Sequence, residues 1–591
     1  MKNPIRHIKH SLLLALCCLT VATFNSCRKA LDIVPASSYT GDNVFTTPDK
    51  VLLALYGVYS SYGEAWTTCR LYNIFLTDTD EGMMTGPDND NTLRGIARWG
   101  PTPTNTTITP VYSTLYEGIE RANICIDKIP AMEMYSNGTA PEKALLGRMY
   151  GEALTLRALM YYELIRWFGD VPFKTKPSVV GENFNLPRTS RDTIYDHILA
   201  DLVMAAPLVP WQSEVTQEER VTKGAVKGVA ARIALAAAGY SLRWDLATGT
   251  GIGMKKRDDP ERIAELYKIA RDQTYDVIYN STSHDLLPRY EDVFRNFAIK
   301  KYDKETIFQI GYYGNEANNR IAYENGPDIR EGSKYGKSNS SYRVTPSYYY
   351  AFDSVDTRRD LAICNHFVDA ANVFKGVAFN NLTPGKWRLY WRSSIPIQPL
   401  KTDFNWVILR FSDVLLMFAE ADNEVNNGPT AQAKECFEKV RKRAYTGNLA
   451  SMGTTPATYT GFFNAVANER YLELGFEGYR KADLIRWNLL TQRLNKVKSD
   501  FAVLKTGGNP FTTVAAVPQY VYVQEKTWDP VPLVLPFKYA VTTGYVRYNW
   551  RQQLTTTPNF ANYFTPNKSE LLPIPQIYIE GQSALKQHPG F

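Results

Sequence analysis

The chain has few of the residues from which metal centres and disulfide scaffolds are built. It contains seven cysteines in 591 residues, and those beyond Cys27 are Cys69, Cys125, Cys364 and Cys436. They are widely spaced without a CxxC pair, so buried free thiols are the default and a single disulfide stays open as the alternative. The histidines beyond residue 27 are His197, His284, His366 and His588, and no HExxH motif occurs. We therefore expect no metal ion and no cofactor.

Long apolar runs are also missing, except at the start of the chain. The segment Leu12 to Val21 (LLLALCCLTV) holds about ten apolar residues, whereas a helix that spans a bilayer needs roughly twenty. It follows the basic residues Lys2, Arg6 and Lys9 and is followed by the small Ser26. This order predicts a secretory signal in residues 1–26.

The residue after this segment is a cysteine. The box Phe24-Asn25-Ser26-Cys27 resembles the signal of a bacterial lipoprotein, in which cleavage leaves the cysteine as an acylated first residue. Each buried acyl methylene contributes about 0.8 kcal/mol, so two or more long chains would hold the protein at a membrane. We predict lipidation at Cys27; the alternative is a plain secretory signal with an incidental cysteine.

An excess of one charge sign is lacking too. The formal net charge is +7, and removal of residues 1–26, with three basic residues and no acidic one, lowers it to +4. Basic residues are scattered among acidic ones without a Lys/Arg stripe, so a nucleic-acid surface is not expected.

What the sequence does contain is helical periodicity. In GEALTLRALMYYELIRWFGDVPF two apolar stripes run side by side and stop at Gly169 and Pro172, which predicts a helix buried on two faces. In KGAVKGVAARIALAAAGYSLRW the small residues let neighbouring helices approach closely. Similar helices are predicted at about 110–130, 190–206 and 258–280, so residues 27–280 are predicted to form stacked helical hairpins.

The pattern changes in the middle of the chain. Residues 281–405 contain KETIFQIGYY, which alternates like a strand, and long Gly/Asn/Ser/Tyr-rich loops. Helices return in residues 406–591 at about 410–427, 430–445, 457–475 and 479–496, before a loop-rich stretch over 500–570. The sequence thus predicts a mainly α protein with a loop-rich, partly β portion.

Five segments in order carry a resemblance to a known family. They are CRKALDIVP, GEALTLRALMYYELIRWFGDVPF, RFSDVLLMFAEADNEVNNG with AKECFEKVRKRA, NERYLELGFEGYRKADLIRW, and ELLPIPQIYIEGQSALKQHPGF. They resemble the SusD/RagB family of outer-membrane nutrient-binding lipoproteins over essentially the whole chain beyond Cys27. The resemblance implies a core of four TPR-like hairpins, a ligand site in the loops, a surface-exposed lipid-anchored location, and a TonB-dependent SusC-like barrel transporter as partner.

The best catalytic candidates are the carboxylates of NERYLELGFEGYRKADLIRW. Glu469, Glu473 and Glu477 lie four residues apart, and crowding could raise the pKa of one of them for acid catalysis, as in glycoside hydrolysis. Neighbouring arginines and the helix-breaking Gly475 and Gly478 favour ion pairs that brace two packed helices. Glu420 and Asp422 follow the same logic. We therefore expect no catalysis.

A glycan site requires exposed aromatic planes and hydrogen-bonding groups instead. In the loop DTDEGMMTGPDNDNTLRGIARWGPTPTNTT we predict ligand contacts at Trp99, Arg94 and Asn91, since this loop contributes to the ligand site in the resembling family. The candidates in the loop-rich middle are Tyr312, Tyr335, Trp387 and Trp391. Packing of each ring beneath its own loop is the alternative interpretation.

Two acidic stretches in the first loop leave a calcium site open. DTDEG and PDNDN concentrate oxygen ligands, but their spacing does not match an EF-hand, and a solvated acidic loop is favoured. Taken together, the sequence predicts surface binding of glycans and their delivery to the transporter. Capture of peptides by the same mechanism and a scaffold that binds only proteins are the alternatives.

Overall fold

The computed structural model describes residues 44–64, 70–73, 75, 77–216, 219–313, 319–392, 400–552 and 559–591. The predicted signal in 1–26, the lipidation site Cys27 and the thiol of Cys69 lie outside these ranges. Cys125, Cys364 and Cys436 are free and buried, as the wide cysteine spacing predicts.

Helices make up most of the described chain. They are α1 (Pro48–Gly63), α2 (Leu93–Ala97), α3 (Ile108–Lys128), α4 (Glu133–Asn137), α5 (Ala140–Phe168), α6 (Arg191–Ala205), α7 (Lys223–Ala238), α8 (Pro260–Tyr279) and α9 (Tyr290–Ile299). After these come α10 (Ile321–Glu324), α11 (Pro346–Tyr349), α12 (Arg359–Ala362), α13 (Phe411–Asn426), α14 (Ala431–Ala444), α15 (Tyr459–Leu474), α16 (Arg480–Arg486), α17 (Leu490–Lys505) and α18 (Gln576–Glu580).

The strands are short and pair only in small antiparallel sheets. They are β1 (Gly82–Met84), β2 (Ser241–Arg243), β3 (Gly253–Lys255), β4 (Thr306–Ile310), β5 (Tyr342–Val344), β6 (Ile363–Cys364), β7 (His366–Val368), β8 (Phe374–Gly376), β9 (Thr383–Pro384), β10 (Trp406–Arg410), β11 (Tyr520–Val523), β12 (Phe537–Lys538) and β13 (Val546–Asn549). The pairs are β1–β5, β2–β3, β4–β10, β6–β9 and β7–β8, and the order of the remaining sheet is β12–β11–β13.

The helix α5 shows why these residues form a buried helix. Thr139 and Glu142 form a capping box at its start, and Gly169 ends it at φ 73°, a conformation that favours glycine. Both apolar stripes of its second half are buried, which confirms the prediction of a helix that packs on two faces.

The helices stack in an order that largely follows the chain. α1 packs on α3 and α5, α3 on α5, α5 on α6, α6 on α7, α7 on α8, and α8 on α13, which carries α14 and α15. The stack therefore continues across the loop-rich middle segment, which leaves it after α8 and rejoins it at α13. Within the described residues no helix is long and apolar enough to cross a membrane.

The strand predicted in KETIFQIGYY is observed as β4, and all five of its residues are buried. Two details differ from the sequence-based expectations. The predicted helix at 479–496 is interrupted between α16 and α17, where Asn488 has φ 56°. The stretch 500–570, predicted as loops, also holds the β12–β11–β13 sheet.

Candidate functional site

The carboxylates weighed as catalysts lie in a buried cluster of ion pairs. Helix α15 ends at Leu474, before Glu477, so the three glutamates do not share one helix face. Glu473 contacts Arg358 (Oε2–Nη1 3.1 Å), Arg443 (Oε1–Nη2 2.6 Å) and Arg410 (Oε1–Nη1 2.5 Å). Burial alone would raise the pKa of Glu473, but these three guanidinium groups hold it well below its usual value.

The other members of the cluster are paired in the same way. Glu469 accepts from Arg358 at 2.6 Å, and Glu477 contacts Arg410 at 2.7 Å and Lys386 at 2.6 Å. Glu420 pairs with Arg486. The carboxylates therefore form bracing ion pairs, as predicted. Of these four glutamates, within the described ranges, only Glu420 pairs with an arginine of NERYLELGFEGYRKADLIRW, whereas the partners of the other three come from β10, α14 and the middle segment.

A solvent-accessible site lies instead around the β1–β5 strand pair. Met83 lies opposite Arg343, and Met84 lies opposite Tyr342. A cleft of about 350 Å³ opens on one side and one of about 470 Å³ on the other, and Met84 and Thr85 line both. We call the strand pair and its two clefts the shelf.

The loop that borders the shelf is fixed from beneath by three side chains. Arg94 donates from Nε to Thr85 O at 2.9 Å. Arg98 contacts the carboxylate of Asp88 and donates to the carbonyls of residues 84 and 86. Asn105 donates to Asp90 O and Thr92 O at 2.8 Å each. Because these bonds satisfy the loop carbonyls internally, the loop is ordered before any ligand binds.

Gly86 is required in this loop for two reasons. Its φ is +89°, and a Cβ at this position would lie 2.6 Å from Nε of Arg94. A larger residue would displace the guanidinium that lines the 470 Å³ cleft.

The shelf offers hydrogen-bonding groups more than aromatic planes. The lining residues that reach solvent include Met83, Thr85, Thr92, Arg94, Thr106, Arg343, Asn381 and Asn559. Phe379 and Phe501 line the 350 Å³ cleft but are almost fully buried. Donors and acceptors of this kind, with Met83 and Leu93 as apolar contacts, suit a ligand with a hydroxylated rim and small apolar faces.

The predicted platform Trp99 is a core residue. It is 2% exposed, its Nε1 donates to Asp78 O at 2.9 Å, and Nζ of Lys481 lies 3.7 Å from the ring centroid. The prediction of an exposed ring at this position is wrong, because a lysine from α16 and Phe564 from the C-terminal segment cover it. Arg94 does line the shelf, and Asn91 is exposed on its border, where its carbonyl accepts from Thr106.

The two tryptophans predicted in the middle segment are also buried. Trp387 is 0% exposed and stacks on Trp406 with centroids 4.8 Å apart. Trp391 lies beneath the guanidinium groups of Arg295 and Arg388, at 4.8 and 5.4 Å. The prediction of exposed planes is therefore wrong for both rings, whose faces are used in core packing.

The two predicted tyrosines are half-buried away from the shelf. Tyr312 donates to Gly63 O at 2.6 Å, and Tyr335 packs edge-on against Phe374 and Tyr390. Neither lines either cleft. Ligand contact at Tyr312 and Tyr335 stays a prediction.

Sequence reasoning missed the residues through which the middle segment reaches the shelf. These are Arg343 and Asn381, brought there by the β1–β5 pairing and by the turn at residues 379–381. Tyr563 was missed as well: it is 46% exposed and donates to Asp88 Oδ2 at 3.2 Å, at the edge of the shelf loop. None of the three stands in a local pattern that marks exposure.

Four of the acidic residues considered for calcium, Asp78, Asp80, Glu81 and Asp88, contact protein groups. Asp78 accepts from the amides of Met84 and Ala561 at 2.9 and 2.8 Å, and burial raises its pKa to about 7. Asp80 pairs with Arg480 at 2.7 Å. Across the described ranges, no group of three or more His, Cys, Asp or Glu side chains could hold a metal ion.

Comparisons with known proteins agree with the resemblance read from the sequence. The SusD family model matches residues 384–591, and a SusD-like model described as starch-binding associating with outer membrane matches residues 31–235. SusD-like protein P25 from Formosa agariphila is 26% identical over 455 residues, which cover 72% of this chain and 78% of that protein.

Solved structures share the fold over nearly the full length. A SusD homolog from Bacteroides thetaiotaomicron has a TM-score of 0.75 at 25% identity and covers 93% of this chain and 98% of that chain. Surface glycan-binding protein A from the same species, in complex with laminarihexaose, has a TM-score of 0.61 at 18% identity, with coverage of 92% and 100%. The protein therefore belongs to the SusD/RagB family and has its helical fold.

Proposed function

We propose that the protein binds glycans at the shelf and releases them unchanged. The observation that carries this proposal is the shelf itself, where an ordered loop and the β1–β5 pair present polar side chains on both sides of Met84 and Thr85. Two solved structures that share the fold support it. One is a laminarin binding SusD-like protein, and the other was solved in complex with laminarihexaose.

Binding at such a site need not be tight to be useful. Millimolar affinity corresponds to only about −4 kcal/mol. A few hydrogen bonds to Arg94, Arg343 and Asn381, with sugar C–H faces on Met83, are sufficient for an affinity of that order. Because the loop is already ordered, little of this binding energy is lost in arranging the site.

The cellular setting follows from the family and the N-terminal sequence. We infer that Cys27 is acylated, that the protein is exposed at the outer-membrane surface, and that it hands the glycan to a TonB-dependent SusC-like transporter. Holding ligand beside the transporter mouth raises its local concentration without any energy input from this chain.

Isothermal titration of the purified full chain with soluble oligosaccharides tests the binding site. The panel includes laminarihexaose and maltohexaose, with an extended peptide as the competing ligand class. Asn381→Ala removes an exposed amide without disturbing the fold, and the double variant with Arg94→Ala is expected to weaken binding at least tenfold.

The matched control is Lys439→Ala, which removes an exposed side chain that pairs with Asp285 on the surface. It should bind like the wild type. Unchanged affinity in the double variant would refute the shelf as the binding site. Binding of peptides but of no sugar would show that the ligand class is peptides and not glycans.

A further inference from the structure

A second cleft lies between α3, the segment 172–186 and the C-terminal helix α18. Its volume is about 330 Å³, and it shares no lining residue with the shelf. Its walls carry five aromatic rings, those of Tyr112, Tyr116, Tyr161, Phe184 and Tyr578.

The rings form a concave wall with faces that reach solvent. Tyr112 lies at its base, 4.9 Å from Tyr116 and 5.1 Å from Tyr578 between centroids, with interplanar angles of 51° and 37°. Tyr116 and Tyr578 are half-buried, and Phe184 is 52% exposed. Tilted planes of this kind cover more than one face of a small ring.

The wall is rigid because its polar ends are tied down. Tyr116 donates to Pro172 O at 2.8 Å, and Tyr161 donates to Lys174 O at 2.7 Å. Nζ of Lys174 lies 5.1 Å from the Phe184 centroid and is itself neutralised by Glu182 at 2.5 Å.

One carboxylate on the wall is uncompensated. Glu120 is half-buried and accepts from the amide of Ser178 at 2.6 Å. No lysine or arginine within the described ranges pairs with it, whereas neighbouring Glu117 pairs with Arg121. Glu120 thus accepts further donors at an aromatic surface and repels anions.

We propose that this cleft is a second saccharide subsite, which takes a neutral or amino sugar and excludes acidic sugars. The sugar's C–H faces pack on Tyr578, Tyr116 and Phe184, and its hydroxyl or ammonium groups donate to Glu120. The subsite goes beyond the shelf and does not depend on it, because the two have no residue in common.

The test measures residual binding after the shelf has been disabled. In the full chain carrying Arg94→Ala and Asn381→Ala, titration with laminarihexaose (neutral), a glucosamine hexamer (cationic) and a galacturonate hexamer (acidic) should show binding of the first two only. Adding Phe184→Ala, which alters a side chain exposed enough to leave the fold intact, should weaken that binding about tenfold, as should Tyr578→Ala.

The role of Glu120 is tested by charge removal. Glu120→Gln should reduce the preference for the cationic over the acidic hexamer at least tenfold. The control is Glu331→Gln, which alters an exposed carboxylate that pairs with Lys337 and lines neither this cleft nor the shelf, and it should leave the preference unchanged. Absence of residual binding in the shelf-disabled chain, or a preference that survives Glu120→Gln, would overturn the subsite. Sugar binding by the wild type but not by the shelf-disabled chain would refute the subsite and leave the proposed function intact. A wild type that binds no sugar at all would refute the proposed function too, so the two failures are distinguishable.

Discussion

Several charged residues in the interior of this protein are held in buried ion pairs. Glu473 is 0% exposed and contacts three arginines. Removing one partner of a buried ion pair costs far more than the pair contributes, because the remaining charges stay desolvated.

Glu473→Gln is therefore expected to lower the free energy of unfolding by about 3–5 kcal/mol. Urea denaturation followed by circular dichroism measures the change. The control Glu117→Gln alters an exposed carboxylate and should stay within about 0.5 kcal/mol of the wild type. A Glu473→Gln protein of normal stability that lost a sugar-cleaving activity present in the wild type would make Glu473 catalytic and contradict the account.

His284 links stability to pH. Burial lowers its pKa to about 4, and its Nε2 has no hydrogen-bond partner within the described residues. Between pH 4 and the unfolded value of about 6.5, the unfolded chain binds a proton that the native state does not. The contribution of His284 is therefore fully present above pH 6.5 and is lost as pH falls toward 4.

Urea unfolding at pH 7.5 and pH 5 checks this linkage. The wild type should lose about 2 kcal/mol more than His284→Asn between these two values. Equal losses in both proteins would show that His284 is protonated in the native state at pH 5 and that burial does not lower its pKa.

Among the elements, α7 packs closely against β10 because position 228 is a glycine without a side chain. A Cβ at Gly228 would lie 2.2 Å from Leu409 Cδ2, so glycine lets α7 approach β10 closely. The Ala- and Gly-rich composition predicted close approach between neighbouring helices, whereas at Gly228 the neighbour is the strand β10.

Gly228→Val is expected to destabilise the protein by about 1–3 kcal/mol, because Leu409 and the strand that carries it must move. Gly581→Val is the matched control, since open space surrounds that glycine. The free energy of unfolding in urea measures both, and equal effects would mean that the α7–β10 contact is not tightly packed.

The helices could be predicted because their signals are local. The apolar periodicity places α3, α6 and α8 within a few residues of their observed bounds, and the stop at Gly169 marks the end of α5. The start of α5 at Ala140 was missed, because the predicted segment begins at Gly151. The strand β4 was found for the same reason, but sequence alternation does not reveal what covers its faces, both of which are buried.

The site could be predicted only in part because exposure is set by distant segments. Arg94 lies in α2 and lines the 470 Å³ cleft, and ligand contact there stays a prediction. Trp99 was wrongly predicted as exposed, because Lys481 approaches its face from a helix near the other end of the chain. Arg343 reaches the shelf through the β1–β5 pairing, which joins segments far apart in sequence.

At the scale of the assembled chain, the stack of helices positions the loops of the proposed ligand site. The middle segment leaves the stack after α8, contributes β5 and the turn at 379–381 to the shelf, and returns at α13. The central claim is that this arrangement holds a glycan at the shelf without cleaving it.

A crystal structure of the full chain with the tightest-binding oligosaccharide, accompanied by chromatography of the recovered sugar, tests that claim most directly. The account predicts an intact sugar in contact with Arg94, Arg343 and Asn381. A shelf left without sugar at saturating ligand, or recovery of shortened oligosaccharide, would contradict it.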